Sequence, residues 1–83
     1  MITPLVHLNG TSRDELIEQA CNVIDALHDA GAALAKAAPN ARDYYLGGPE
    51  LLAQAQAQHD ARMGALKALI ADMEAQAQAI SDA

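Results

Sequence analysis

Apolar residues recur at helical spacing along most of this chain, and the rhythm is interrupted once. Leu16, Ala20, Val23, Leu27, Ala30, Leu34 and Ala37 step alternately by four and three residues, the heptad seam of a helix packed along a partner. Ile17, Cys21 and Ile24 widen that seam, and a wide apolar face suits a helix touching two neighbours rather than one. A second seam runs through Leu52, Ala55, His59, Met63, Leu66, Ile70, Met73, Ala77 and Ile80. Its extra four-residue step, from His59 to Met63, is a stutter that locally relaxes supercoiling.

Local signals set the boundaries. Ser12 followed by Glu15 is a capping box, and Thr11 with Asp14 is an overlapping match, so the first helix is expected over 11–38. Asp14, Glu15 and Glu18 put negative charge at the positive end of its dipole. Pro39 stops it. Pro49 suits the first turn of the second helix, expected over 49–82. Residues 39–48 form the connector. Residues 1–10 form an N-terminal arm, because Pro4 and the Asn9-Gly10 pair disfavour helix there. Leu5-Val6-His7-Leu8 reads as a brief strand or as an arm lying on a neighbour; its apolar side chains are expected to dock. The Ala-Gln repeats at 53–58 and 75–79 read as helix surface. Gly31 costs its helix about 1 kcal/mol against alanine, which points to a close helix approach.

At 1.5 Å per residue the helices are about 40 and about 50 Å long, and the connector lets them fold back antiparallel. The expected fold is all-α: one domain, 1–83, formed as an antiparallel two-helix hairpin with a short N-terminal arm. A single interface cannot cover both apolar faces, so oligomerisation is expected to complete a helical bundle, most simply a dimeric four-helix bundle.

Composition strengthens that expectation. Hydrophobic residues make up 52% of the chain, but 20 of them are alanine, which buries little area. A small core so poor in bulky side chains needs a staple, and a single cysteine provides none. Cys21 itself reads as a small buried hydrophobe rather than a catalytic thiol, and a reducing, cytoplasmic compartment follows. The net charge of −6 argues against binding a nucleic-acid backbone, which calls for a basic face. An acidic face mimicking DNA stays open beside the plainer reading of a solvated surface. No stretch is apolar enough for a membrane span, and the start of the chain lacks the basic and apolar regions of a secretory signal.

Candidate chemistry gathers at the two interruptions. His7, Asn9, Thr11, Ser12 and Arg13 surround the start of the first helix, where free amides and the dipole favour an anion. Asn40, Arg42, Asp43, Tyr44 and Tyr45 lie in the connector, which holds the only two aromatic residues of the chain. Tyrosine faces and a guanidinium plane suit stacking on a base, and Asn and Asp suit reading its edge. In one hairpin these groups sit at opposite ends, about 40 Å apart. In an antiparallel dimer one chain's arm meets the other's connector. The plainer alternative has the tyrosines plugging the hairpin end while Asn40 and Asp43 cap turns. His28 comes level with His59 if the hairpin turns symmetrically, near Asp25, Asp29 and Asp60, but no diagnostic zinc spacing accompanies them; no metal and no cofactor are expected. No nucleophile elbow or phosphate loop is present, so a non-enzyme is expected.

The stretches His7-Leu8-Asn9-Gly10-Thr11-Ser12-Arg13 and Ala38-Pro39-Asn40-Ala41-Arg42-Asp43-Tyr44-Tyr45 resemble a family of small, mostly uncharacterised helical proteins of tailed phages and prophages. The resemblance covers nearly the whole length. It departs from the family at Leu46-Gly47-Gly48, where a Pro-Gln-Gly-like run is usual. It implies expression in the cytoplasm of an infected bacterium. Small oligomeric phage proteins with polar pockets between subunits include sponges for nucleotide immune signals, an architectural analogy. The expected function is sequestration of such a nucleotide-derived signal between subunits. Its ligand site would combine Asn40, Arg42, Asp43, Tyr44 and Tyr45 of one chain with His7, Asn9, Ser12 and Arg13 of another. The alternatives are a protein–protein module or inhibitor acting through acidic helix faces, and a structural or assembly accessory with no ligand.

Overall fold

The computed structural model describes residues 1–83 and is helical throughout its ordered elements, with no strand. Two long helices, α1 (Arg13–Lys36) and α2 (Pro49–Asp82), pack against each other, joined by two single-turn 3-10 helices, Ala41–Asp43 and Tyr45–Gly47. Ser12 is the N-cap of α1: its hydroxyl oxygen accepts the backbone N–H of Glu15 at 3.2 Å. At the other end the helix tightens. The N–H groups of Ala37 and Ala38 bond the carbonyls of Leu34 and Ala35, and Pro39 keeps the residue before it out of helical geometry. Gly48 opens α2 with a φ of 89°, the only positive φ in the chain.

The helices run antiparallel with their outer ends flush. The Arg13 guanidinium donates to the carbonyl oxygen of Ala83, and Gly31 faces Leu66, whose Cδ2 would lie 3.2 Å from a β-carbon at that position. Glycine thus marks a close approach, as the sequence predicts. Because α1 has 24 residues and α2 has 34, all the excess length of α2 falls at the connector end. There the chain after Lys36 does not turn back at once. It lies along the first turns of α2, with Gly47 against Leu51 and with Ala41, Tyr44 and Tyr45 around Pro49 and Leu52.

All nine positions of the second seam are buried or half-buried. The first seam is rotated from its expected position. Leu16, Ile17, Ala20, Ile24, Leu27, Gly31 and Leu34 are the buried or half-buried positions, whereas Val23, Ala30 and Ala37 are exposed. The apolar face of α1 is wide enough to offer two seams, and one neighbour can use only one. The one used brings Ile24 and the small Gly31 against α2. Cys21 falls off that face and is exposed, contrary to its expected burial.

The arm makes one turn, the Gly10 N–H bonding the His7 carbonyl at 3.2 Å. Its apolar residues do not dock on their own hairpin: Ile2, Leu5 and Leu8 are almost fully exposed. The hairpin has almost no enclosed core. Only Ala20 and Ile80 are buried. The molecule measures 62 × 19 × 16 Å, and its radius of gyration is 18.4 Å, against about 12 Å for a compact domain of this length.

Candidate functional site

The connector is built from its own short-range bonds. Pro39 leads into Asn40, whose amide Nδ2 donates to Asp43 Oδ2 at 3.0 Å. The N–H groups of Asp43, Tyr44, Gly47 and Gly48 each bond a carbonyl three residues back, at 3.1–3.3 Å. These bonds hold the tyrosines at different depths. Tyr44 is half-buried beside a shallow hollow of about 270 Å³ walled by Ala41, Gly48, Pro49 and Leu52. Tyr45 borders the same hollow but is 71% exposed. Arg42 and Asp43 are exposed. The exposed ring of Tyr45 can stack on a planar ligand, and a guanidinium of the Arg42 kind can pair an anion nearby. Asn40 and Asp43 engage each other side chain to side chain, and Asn40 makes no capping bond to the backbone of the turn it precedes.

The other expected group lies at the far end of α1. Ser12 is engaged as the cap, Arg13 is engaged with Ala83, and the His7 ring sits over Gly10, so close that a β-carbon there would lie 2.6 Å from His7 Nε2. His7, Asn9, Ser12 and Arg13 are all exposed. The 24 residues of α1 separate this group from the connector, roughly 36 Å at helical rise. One chain therefore brings together Asn40, Arg42, Asp43, Tyr44 and Tyr45, and separately His7, Asn9, Ser12 and Arg13. It does not bring the two groups to one place.

The observed register also corrects the expected level of the histidines. With Gly31 opposite Leu66, His28 comes level with about residue 69, ten residues along α2 from His59, or about 15 Å. The symmetric turn assumed from the sequence fails because the connector lies along α2 instead of spanning its end. No three His, Cys, Asp or Glu side chains gather closely enough to hold a metal ion. No helix is long and apolar enough to cross a membrane.

Sequence reasoning missed a second hollow, of about 350 Å³, midway along the hairpin. It lies between Gly31 on α1 and Met63, Leu66 and Ile70 on α2, with His28 and Lys67 at its rim. The absent side chain of Gly31 opposite a seam of long aliphatics was the available signal; using it required the register.

No protein-family model matches the chain, and no characterised protein or solved structure is significantly similar to it.

Proposed function

We propose that this protein is a non-enzymatic interaction module, a helical hairpin that acts within an assembly of its own copies and is completed there as a bundle. The observation that carries this reading is the surface left in water. The chain exposes 6044 Å², whereas a folded monomer of its 8.7 kDa mass exposes about 4,700 Å². The surplus, about 1,300 Å² per chain, exceeds the roughly 800 Å² that each partner contributes to a standard interface. Light scattering across a concentration series tests it. A dimer or larger species is expected, with helicity that falls on dilution. A helical monomer at every concentration refutes the reading.

A second, finer reading concerns what such an assembly holds. Tyr45, largely exposed at the edge of a shallow hollow and three residues along the connector from the exposed Arg42, supports capture of a planar, anionic ligand. On this reading the ligand is a nucleotide-derived immune signal, sequestered in the cytoplasm of an infected bacterium, in keeping with the phage resemblance. In an antiparallel dimer the arm of one copy supplies His7, Asn9 and the start of α1 to the connector of the other. Thermal shift against a nucleotide panel tests this. A member of the panel is expected to raise the melting temperature, and Arg42→Ala is expected to abolish the rise without loss of helicity. If no nucleotide shifts melting, this reading falls and the interaction module stands.

A further inference from the structure

The large apolar side chains that the hairpin leaves in water gather at its two ends. Of the ten that are exposed, five lie in the N-terminal arm and three, Tyr45, Leu46 and Leu51, at the connector end. Only Val23 and Leu69 lie between. The two ends differ in form. The arm is a segment with little structure of its own: one backbone bond, from the Gly10 N–H to the His7 carbonyl, joins its residues. Residues 1–12 include no Asp, Glu, Lys or Arg. The connector end is concave. Its hollow of about 270 Å³ is walled by Ala41, Tyr44, Tyr45, Gly48, Pro49 and Leu52, none of them charged. Leu46, next in the chain, is 88% exposed.

We infer that the arm of one chain docks Leu5 and Leu8 into the connector hollow and onto Leu46 of a second copy, reciprocally in an antiparallel pair; this rests on the reading of the protein as a self-associating module. Reach rules out the chain's own hollow. Gly31 faces Leu66. Gly31 follows Arg13 by 18 residues and Leu52 precedes Leu66 by 14, so the start of α1 and the hollow lie about 48 Å apart along the hairpin at helical rise. Leu5 precedes Arg13 by eight residues and Leu8 by five, and fully extended chain carries them at most about 29 and about 18 Å. Only a second copy can bring these side chains to the hollow. Charge favours this hollow over the mid-hairpin one, which lies within the arm's own reach. His28 and Lys67 stand in the wall of the mid-hairpin hollow, and aliphatic side chains seated there would strip water from them. At the connector, Arg42, Asp43 and Glu50 are exposed and lie outside the lining. Antiparallel pairing then fills both hollows. Two rods laid antiparallel set each arm beside the other's connector, and the exchange closes at two copies. Laid parallel, arms meet arms and both hollows stay open.

The test is cross-linking between chains. In a Cys21→Ser background, a Leu5→Cys protein and a Leu46→Cys protein are unfolded together in urea, refolded as a mixture and treated with a short bismaleimide. Each protein alone is treated in the same way, and light scattering follows the assembly state. The mixture is expected to yield linked pairs at least about tenfold faster than either protein alone, because an antiparallel pair holds positions 5 and 46 of different chains together and like positions apart. Linking in either single protein as fast as in the mixture overturns the docking and leaves self-association standing. So does an assembly in which nothing links. A monomer at every concentration overturns self-association, and the docking with it. As a second measure, Leu5→Ser combined with Leu8→Ser is expected to raise the dissociation constant at least about a hundredfold. The helicity of the hairpin should not change, since both side chains are exposed on their own chain. An unchanged dissociation constant overturns the docking.

Discussion

Two glycines on the long helices make a controlled pair. A β-carbon at Gly64 meets nothing within 4 Å, whereas one at Gly31 lies 3.2 Å from Leu66 Cδ2. Replacing an interior helix glycine by alanine contributes about 1 kcal/mol where nothing opposes it. Gly64→Ala should show that gain in full. With an unfolding entropy of about 2.1 cal/mol/K per residue over this chain length, the melting temperature should rise by about 6 °C. At Gly31 the gain is offset by displacing the Leu66 methyl a few tenths of an ångström. Leu66 borders the mid-hairpin hollow, so the methyl has room to move, and the cost is about 0.5 kcal/mol. Gly31→Ala should therefore stabilise by about 0.5 kcal/mol, or about 3 °C. Urea unfolding followed by circular dichroism, at one protein concentration because assembly shifts apparent stability, measures both. Equal gains from the two alanines would refute the close approach of the helices at Gly31.

Other perturbations probe the remaining junctions. Ser12→Ala removes the hydroxyl that caps α1 and should cost about 1 kcal/mol in the same unfolding assay, while Thr11→Ala should stay within about 0.5 kcal/mol. Gly48→Ala forces a side chain onto a φ of 89° and should cost about 1–3 kcal/mol. Tyr44→Ala should destabilise by about 1–2 kcal/mol because the ring packs at the start of α2, and Tyr45→Ala should be neutral within about 0.5 kcal/mol because its ring faces water. If Tyr45→Ala instead abolishes a ligand-induced rise in melting temperature, that ring contacts the ligand.

The amino-acid sequence by itself determined the two helices and the inward face of α2, although α1 spans Arg13–Lys36 where 11–38 was expected. Ser12, Pro39 and Pro49 act on adjacent backbone, so their effects can be read without knowing the fold. The seam from Leu52 to Ile80 offers one apolar stripe and hence one choice. The tertiary structure decided what the sequence left doubly specified. The face of α1 carries two interleaved seams, and only packing against α2 chose Ile24 and Gly31 over Val23 and Ala30. The connector's path along α2 set the register, and with it the separation of His28 from His59 and the hollow beside Gly31. The candidate site divides in the same way. Its residue types were legible because Tyr44, Tyr45 and Arg42 are so unlike the alanine-rich helices around them. Their availability was not, because a side chain is free or engaged only through neighbours: Asn40 with Asp43, and Arg13 with Ala83 at the far end of the chain.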